Sequence, residues 1–162
     1  MWTVGIAEKE PFPVFHTMKR ALGADSSYVF SQVGHSSHQP LKTDVLVAAG
    51  ETPPETICRV AVISGGDAPP PIEAAEGVVT YGLSHKDTLT ISSTVDKDMA
   101  LALQREIMDV RGHRTDRQEL LLRRPPHLGL EQTLACVGGL LALGVGTERI
   151  PALLSSKEDG GK

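Results

Sequence analysis

Gly65, Gly66 and Asp67 follow the apolar run Arg59–Ser64 and head the segment GGDAPPP. Two glycines at the carboxyl end of a strand let backbone approach a ligand closely, so this segment is the best candidate for a phosphate loop. Pro69, Pro70 and Pro71 then remove three amide donors where an anion needs them, and a tight structural turn is the competing reading. On that reading Gly66→Val is expected to damage folding more than binding. Nothing in the chain matches G-x-x-x-x-G-K-[ST], G-x-G-x-x-G or G-x-S-x-G, so no Walker loop, dinucleotide fingerprint or nucleophile elbow is expected. His35 and His38 lie three apart in a polar stretch. They would supply two metal ligands where zinc needs three or four, and no metal or other cofactor is expected. Glu73/Glu76 and Asp96/Asp98 read as solvated faces or helix N-terminal charges. No catalytic residue is assigned.

Six arginines cluster between 105 and 124: Arg105, Arg111, Arg114, Arg117, Arg123 and Arg124. Arginine suits bidentate recognition of phosphate or carboxylate. Arg117 and Arg123 are the candidate binding residues, and segment 105–124 is a candidate partner surface; exposed charges flanking a hairpin or helix are the alternative. Against this local excess, the 162-residue chain carries a net charge of −4 and only 4% aromatic residues. Nucleic acid is therefore not an expected partner. The N-terminus MWTVGIAEKEPFP lacks the form of a signal peptide. The longest apolar run, Leu134–Val145, falls short of a membrane span. Cys58 and Cys136 each sit in an apolar run and read as buried thiols of a reducing compartment, although spacing leaves a disulfide open. A cytoplasmic location is expected; the oligomeric state is not legible.

The elements that would position these residues are those of an α/β domain over residues 1–156, with 157–162 a disordered tail. Trp2–Ala7 and Tyr28–Val33 read as strands, with a helix Val14–Leu22 between them ending at Gly23. Asp44–Ala49, Arg59–Ser64 and Gly77–Tyr81 are continuous apolar runs, the pattern of a parallel sheet buried on both faces. The connections between them are short. Pro53-Pro54 interrupts one, and IEAAE, one or two helical turns, ends the other. Thr88–Ser92 reads as a strand. Asp96–Val110 fits either a helix or, with Glu119–Arg123, a hairpin. After Pro125-Pro126 come two helices: Leu128–Leu143, where alternating small and large residues favour close packing, and a short one N-capped by Thr147.

The order DVLVAAG, RVAVISGGDAPPP, GVVTYGLSHKDTLTISS and ELLLRRPPHLGLEQTLACVGGLLALGVGTERIPALL resembles the latter part of the Mur ligase central domain, over about Asp44–Ser155. Those ligases join amino acids to peptidoglycan precursors using ATP. The resemblance implies a nucleotide-linked site near Gly65–Asp67 and His127, and a β-rich reading of 99–123. It also exposes departures. The P-loop is missing, the Asn-Asp-Asp loop is reduced to Gly65-Gly66-Asp67, and Leu128 follows His127 where the family has asparagine. The family's separate C-terminal domain is missing too. The resemblance therefore implies a degenerate, non-catalytic binding or scaffold protein linked to cell-wall processes. A nucleotide- or anion-binding enzyme or sensor is the alternative.

Overall fold

A computed structural model describes residues 1–34, 39–66 and 71–155. The chain forms a mixed, mostly parallel sheet of nine strands. β1 (Trp2–Glu8) leads through α1 (Pro13–Leu22) to β2 (Tyr28–Val33), and a two-residue β3 (Leu41–Lys42) precedes β4 (Val45–Ala49). β5 (Thr56–Ser64), β6 (Ile72–Tyr81) and β7 (Leu89–Val95) follow in turn. β8 (Asp98–Leu103) and β11 (Gln118–Arg123) flank a small separate ribbon, β9 (Ile107–Met108) with β10 (Arg114–Thr115). Two helices close the described chain, α2 (Leu130–Ala142) and α3 (Ile150–Ser155). The spatial order is β11-β8-β7-β6-β5-β4-β1-β2, with β3 beside β5. β2 through β7 run parallel, and β7-β8-β11 run antiparallel.

The expected fold class is the observed one, with local corrections. IEAAE is the first half of β6, not a helix, because Ile72–Ala74 pair with Thr56–Cys58 of β5 and the ladder overrides helix propensity. Asp98–Val110 is strand and ribbon: β8 pairs with β11 over Asp98–Leu103, so the hairpin alternative holds. α3 begins at Ile150 rather than after Thr147, which puts Pro151 in its first turn, where a missing amide is harmless. The expected tail at 157–162 and the His35/His38 pair lie outside the described residues.

The helices all contribute to one large core on one face of the sheet, against Val45, Val47, Val60, Val62 and Val79. The other face holds a second, smaller cluster of Leu46, Cys58 and Ala61. Pro53, in the connection from β4 to β5, is buried. α2 is buried along Thr133–Ala142, and two glycines let it lie close to its neighbours. A Cβ on Gly138 would stand 2.8 Å from Val62 Cγ1, and one on Gly139 would stand 2.6 Å from Met18 Cε. Val62 is branched and held in the sheet, whereas the Met18 methyl can swing aside. Gly138→Ala is therefore expected to lose about 1–3 kcal/mol to overpacking, and Gly139→Ala less, as read by urea denaturation.

Candidate functional site

The carboxyl ends of parallel strands are where open α/β sheets hold ligands. Here they carry a cleft of ≈620 Å³ lined by Ala49, Gly50, Ser64, Tyr81 and Leu83 on the strand side. Residues 129–132, the start of α2, line the opposite side. The Tyr81 hydroxyl donates to Ala48 O at 2.6 Å, bracing β6 to β4 across β5. Gly129 N donates to the Gln132 side chain at 2.8 Å, which fixes the entry to α2. The start of a helix favours an anion, but Glu131 in the same turn opposes one. Ser64 and Tyr81 bring hydroxyls, and among the described residues no histidine or lysine lines the cleft. Among the described residues no group of three or more His, Cys, Asp or Glu is placed to hold a metal ion.

Gly65 adjoins this cleft, and its amide donates to Tyr81 O at 2.9 Å, extending the β5–β6 ladder. A Cβ on Gly65 would fall on the Asp87 carboxylate, and one on Gly82 would stand 2.5 Å from Asp87 Oδ2. Asp87 is buried and accepts from Ser84 N at 3.1 Å. Gly65 is thus a packing glycine. Gly66 is exposed and has nothing within 4 Å of its Cβ position. Among the described residues the steric constraint therefore belongs to Gly65, not to Gly66. Asp67 lies outside the described residues. His127 is exposed in the turn before α2 and is not part of the cleft lining.

The arginine cluster does not form one patch. Arg105 donates to Lys86 O at 2.6 Å and to Thr88 Oγ1 at 3.3 Å, clamping the loop before β7. Arg111 donates to Leu143 O at 3.4 Å and to Tyr28 Oη at 3.2 Å, and lies 5.7 Å over the Trp2 ring. Arg114 pairs with Glu106 at 3.3 Å. Arg117 and Arg123 are exposed at opposite ends of β11 and line different grooves.

Glu8 carries a role that the sequence reading missed. It ends β1, is 5% exposed, and accepts from Val14 N at 2.9 Å and Phe15 N at 2.8 Å. Those amides belong to the first turn of α1, at the β1–α1 junction where a phosphate loop would lie. An internal carboxylate fills the anion position. Phe12, the preceding cap, has φ 59°, a left-handed backbone that costs a non-glycine residue about 1–2 kcal/mol, and the two amide hydrogen bonds to Glu8 hold the turn beside it. The legible signal was a glutamate closing a strand just before a proline-led helix start.

Burial also pushes the Cys58 thiol up to about 11 and the Cys136 thiol still higher, so both are poor nucleophiles. Both cysteines are free.

No protein-family model matches this chain, and a search of curated proteins finds no match. The fold and the cleft define its class: an open α/β sheet with a cleft at the carboxyl ends of its parallel strands.

Two outcomes follow from this geometry. Gly65→Ala should lower the melting temperature by several degrees, while Gly66→Ala should stay within about 0.5 kcal/mol of wild type. The second concerns pH. Burial raises the Glu8 pKa above the usual glutamate range, although the amides of Phe15 and Val14, and then His16, pull it down. The folded chain then holds this proton more tightly than the unfolded chain. The Glu8 contribution to stability is full below the unfolded pKa and declines as pH rises through the folded one. Relative to Glu8→Gln, wild type should lose stability as the pH rises from the ordinary glutamate range through the higher folded value, measured by urea denaturation of both proteins over a pH series.

Proposed function

We propose that this chain is a non-catalytic binding or scaffold protein, a degenerate relative of the Mur ligase central domain that works in the cytoplasm. The observation carrying the reading is the Glu8 carboxylate on Val14 N and Phe15 N. The helix-start amides that a phosphate would need at the β1–α1 junction are occupied from within the chain. The cleft beside Ser64 and Tyr81, with no basic side chain among the described residues of its lining, agrees with binding rather than group transfer. The two free, buried cysteines are in keeping with a reducing compartment. The link to cell-wall processes rests on the sequence resemblance alone. Partner contact is assigned to segment 105–124, at its exposed end on β11.

The second reading is a nucleotide or anion sensor near Gly65–Asp67 and His127. It is favoured by the cleft's position at the strand ends, facing the start of α2. Thermal melting with and without Mg-ATP, Mg-GTP and a UDP-sugar separates the two. A ligand at a hundredfold excess over Kd adds about 2.7 kcal/mol to stability. The scaffold reading expects no shift with any of the three; a clear shift overturns it in favour of the sensor.

A further inference from the structure

The sheet ends at β11, and this edge has a pattern that complements itself. β11 pairs with β8 on one side only, and among the described residues no strand occupies its other side. Arg124 donates its amide to Lys97 O at 2.8 Å. By the two-residue alternation of an antiparallel ladder, the backbone groups of Gln118, Leu120 and Leu122 face β8. Those of Glu119, Leu121 and Arg123 face outward. On the far side of β8, Gln104 N donates to Thr88 O at 2.8 Å, which confirms the same parity. The side chains of Glu119, Leu121 and Arg123 share one face and are all exposed, Leu121 by 72%. Leu120 and Leu122, which alternate with them, are buried in the main core.

An open edge with an exposed leucine at its centre is a template for strand pairing unless charge blunts it. Here the charges two residues either side of Leu121 are opposite in sign. We propose that β11 pairs antiparallel with β11 of a second copy of this chain, about a twofold axis through Leu121. Parity sets outward-facing residues opposite one another. Leu121 then meets Leu121 of the second copy, and Glu119 meets Arg123 of the second copy in both directions. Other registers fare worse. Sliding by two residues sets Arg123 against Arg117 in one direction, or Leu121 against Arg123 in the other. Parallel pairing sets Glu119 against Glu119. Like charges directly opposite destabilise a sheet, and opposite charges stabilise it. The contact is isologous and closes at two copies. It deepens the partner assignment above but stands on β11 alone.

Sedimentation velocity of the full chain between about 1 and 100 μM tests this, with circular dichroism to check each variant's fold. Wild type should pass from monomer to dimer. Glu119→Arg and Arg123→Glu should each weaken self-association about tenfold or more, a change of about 1.4 kcal/mol. An equimolar mixture of those two variants should dimerise again, because both cross-strand pairs re-form between unlike copies. Leu121→Pro removes an outward amide without touching a bond to β8 and should be a folded monomer. A wild type that stays monomeric at the highest concentration overturns the proposal. So does a dimer that survives Leu121→Pro, or charge variants whose mixture stays monomeric. These results leave the melting test of the scaffold reading unaffected, so the two can fail separately.

Discussion

The structure depends on how little chain joins its parallel strands. Parallel neighbours ordinarily need a crossover of a dozen or more residues, usually a helix. Only residues 50–55 connect β4 to β5, and only 65–71 connect β5 to β6. A helix advances about 1.5 Å per residue and an extended proline-type chain about 3.1 Å. So short a return as residues 50–55 must be extended, and Pro53 and Pro54 suit that conformation. Residues 50–55 therefore contribute no helix to cover the second face. That face is built from Leu46, Cys58 and Ala61 with Leu41, Ile63, Ile72 and Ala74 packed against them, while every helix that joins the core lies on the other. α2 consequently presses on β4, β5, β6 and α1 together. That explains why it is apolar nearly all round and carries Gly138 and Gly139 at its closest approaches.

Much of this was legible because the hydrophobic pattern reports burial directly. The runs at Trp2–Ala7, Asp44–Ala49 and Arg59–Ser64 are strands, and the periodic Val14–Leu22 and Leu128–Leu143 are helices within a residue or two of their ends. What failed was local propensity set against pairing. IEAAE has helix-forming residues, yet it lies in register with the start of β5. Leu41–Lys42 is too short to announce itself and is a strand only because Thr56–Ile57 is beside it. Thr147 has a capping side chain but stands three residues before α3 begins.

The site was less legible than the fold, for a related reason. Composition marks residues that can do chemistry, but not which ones packing has already engaged. Gly65 looks like a ligand-facing glycine and is held against Asp87. Three of the six arginines bind the protein's own carbonyls, hydroxyls or carboxylates, among them Arg105 and Arg111. Tyr81 and the start of α2 meet at one cleft only because the chain passes through two antiparallel strands before returning to the parallel ones. No short motif records that return.

Glu8 has a consequence best put in terms of competition. A phosphate arriving at the start of α1 would not meet vacant amides; it would have to displace a carboxylate tethered a few residues away. A tethered group competes at an effective concentration of about millimolar even on a flexible link, and Glu8 is fixed at the end of a sheet strand, within 2.9 Å of both amides. The helix start is thereby insulated from the free phosphates and nucleotides around it. The geometry of this helix start is thus set from within the chain.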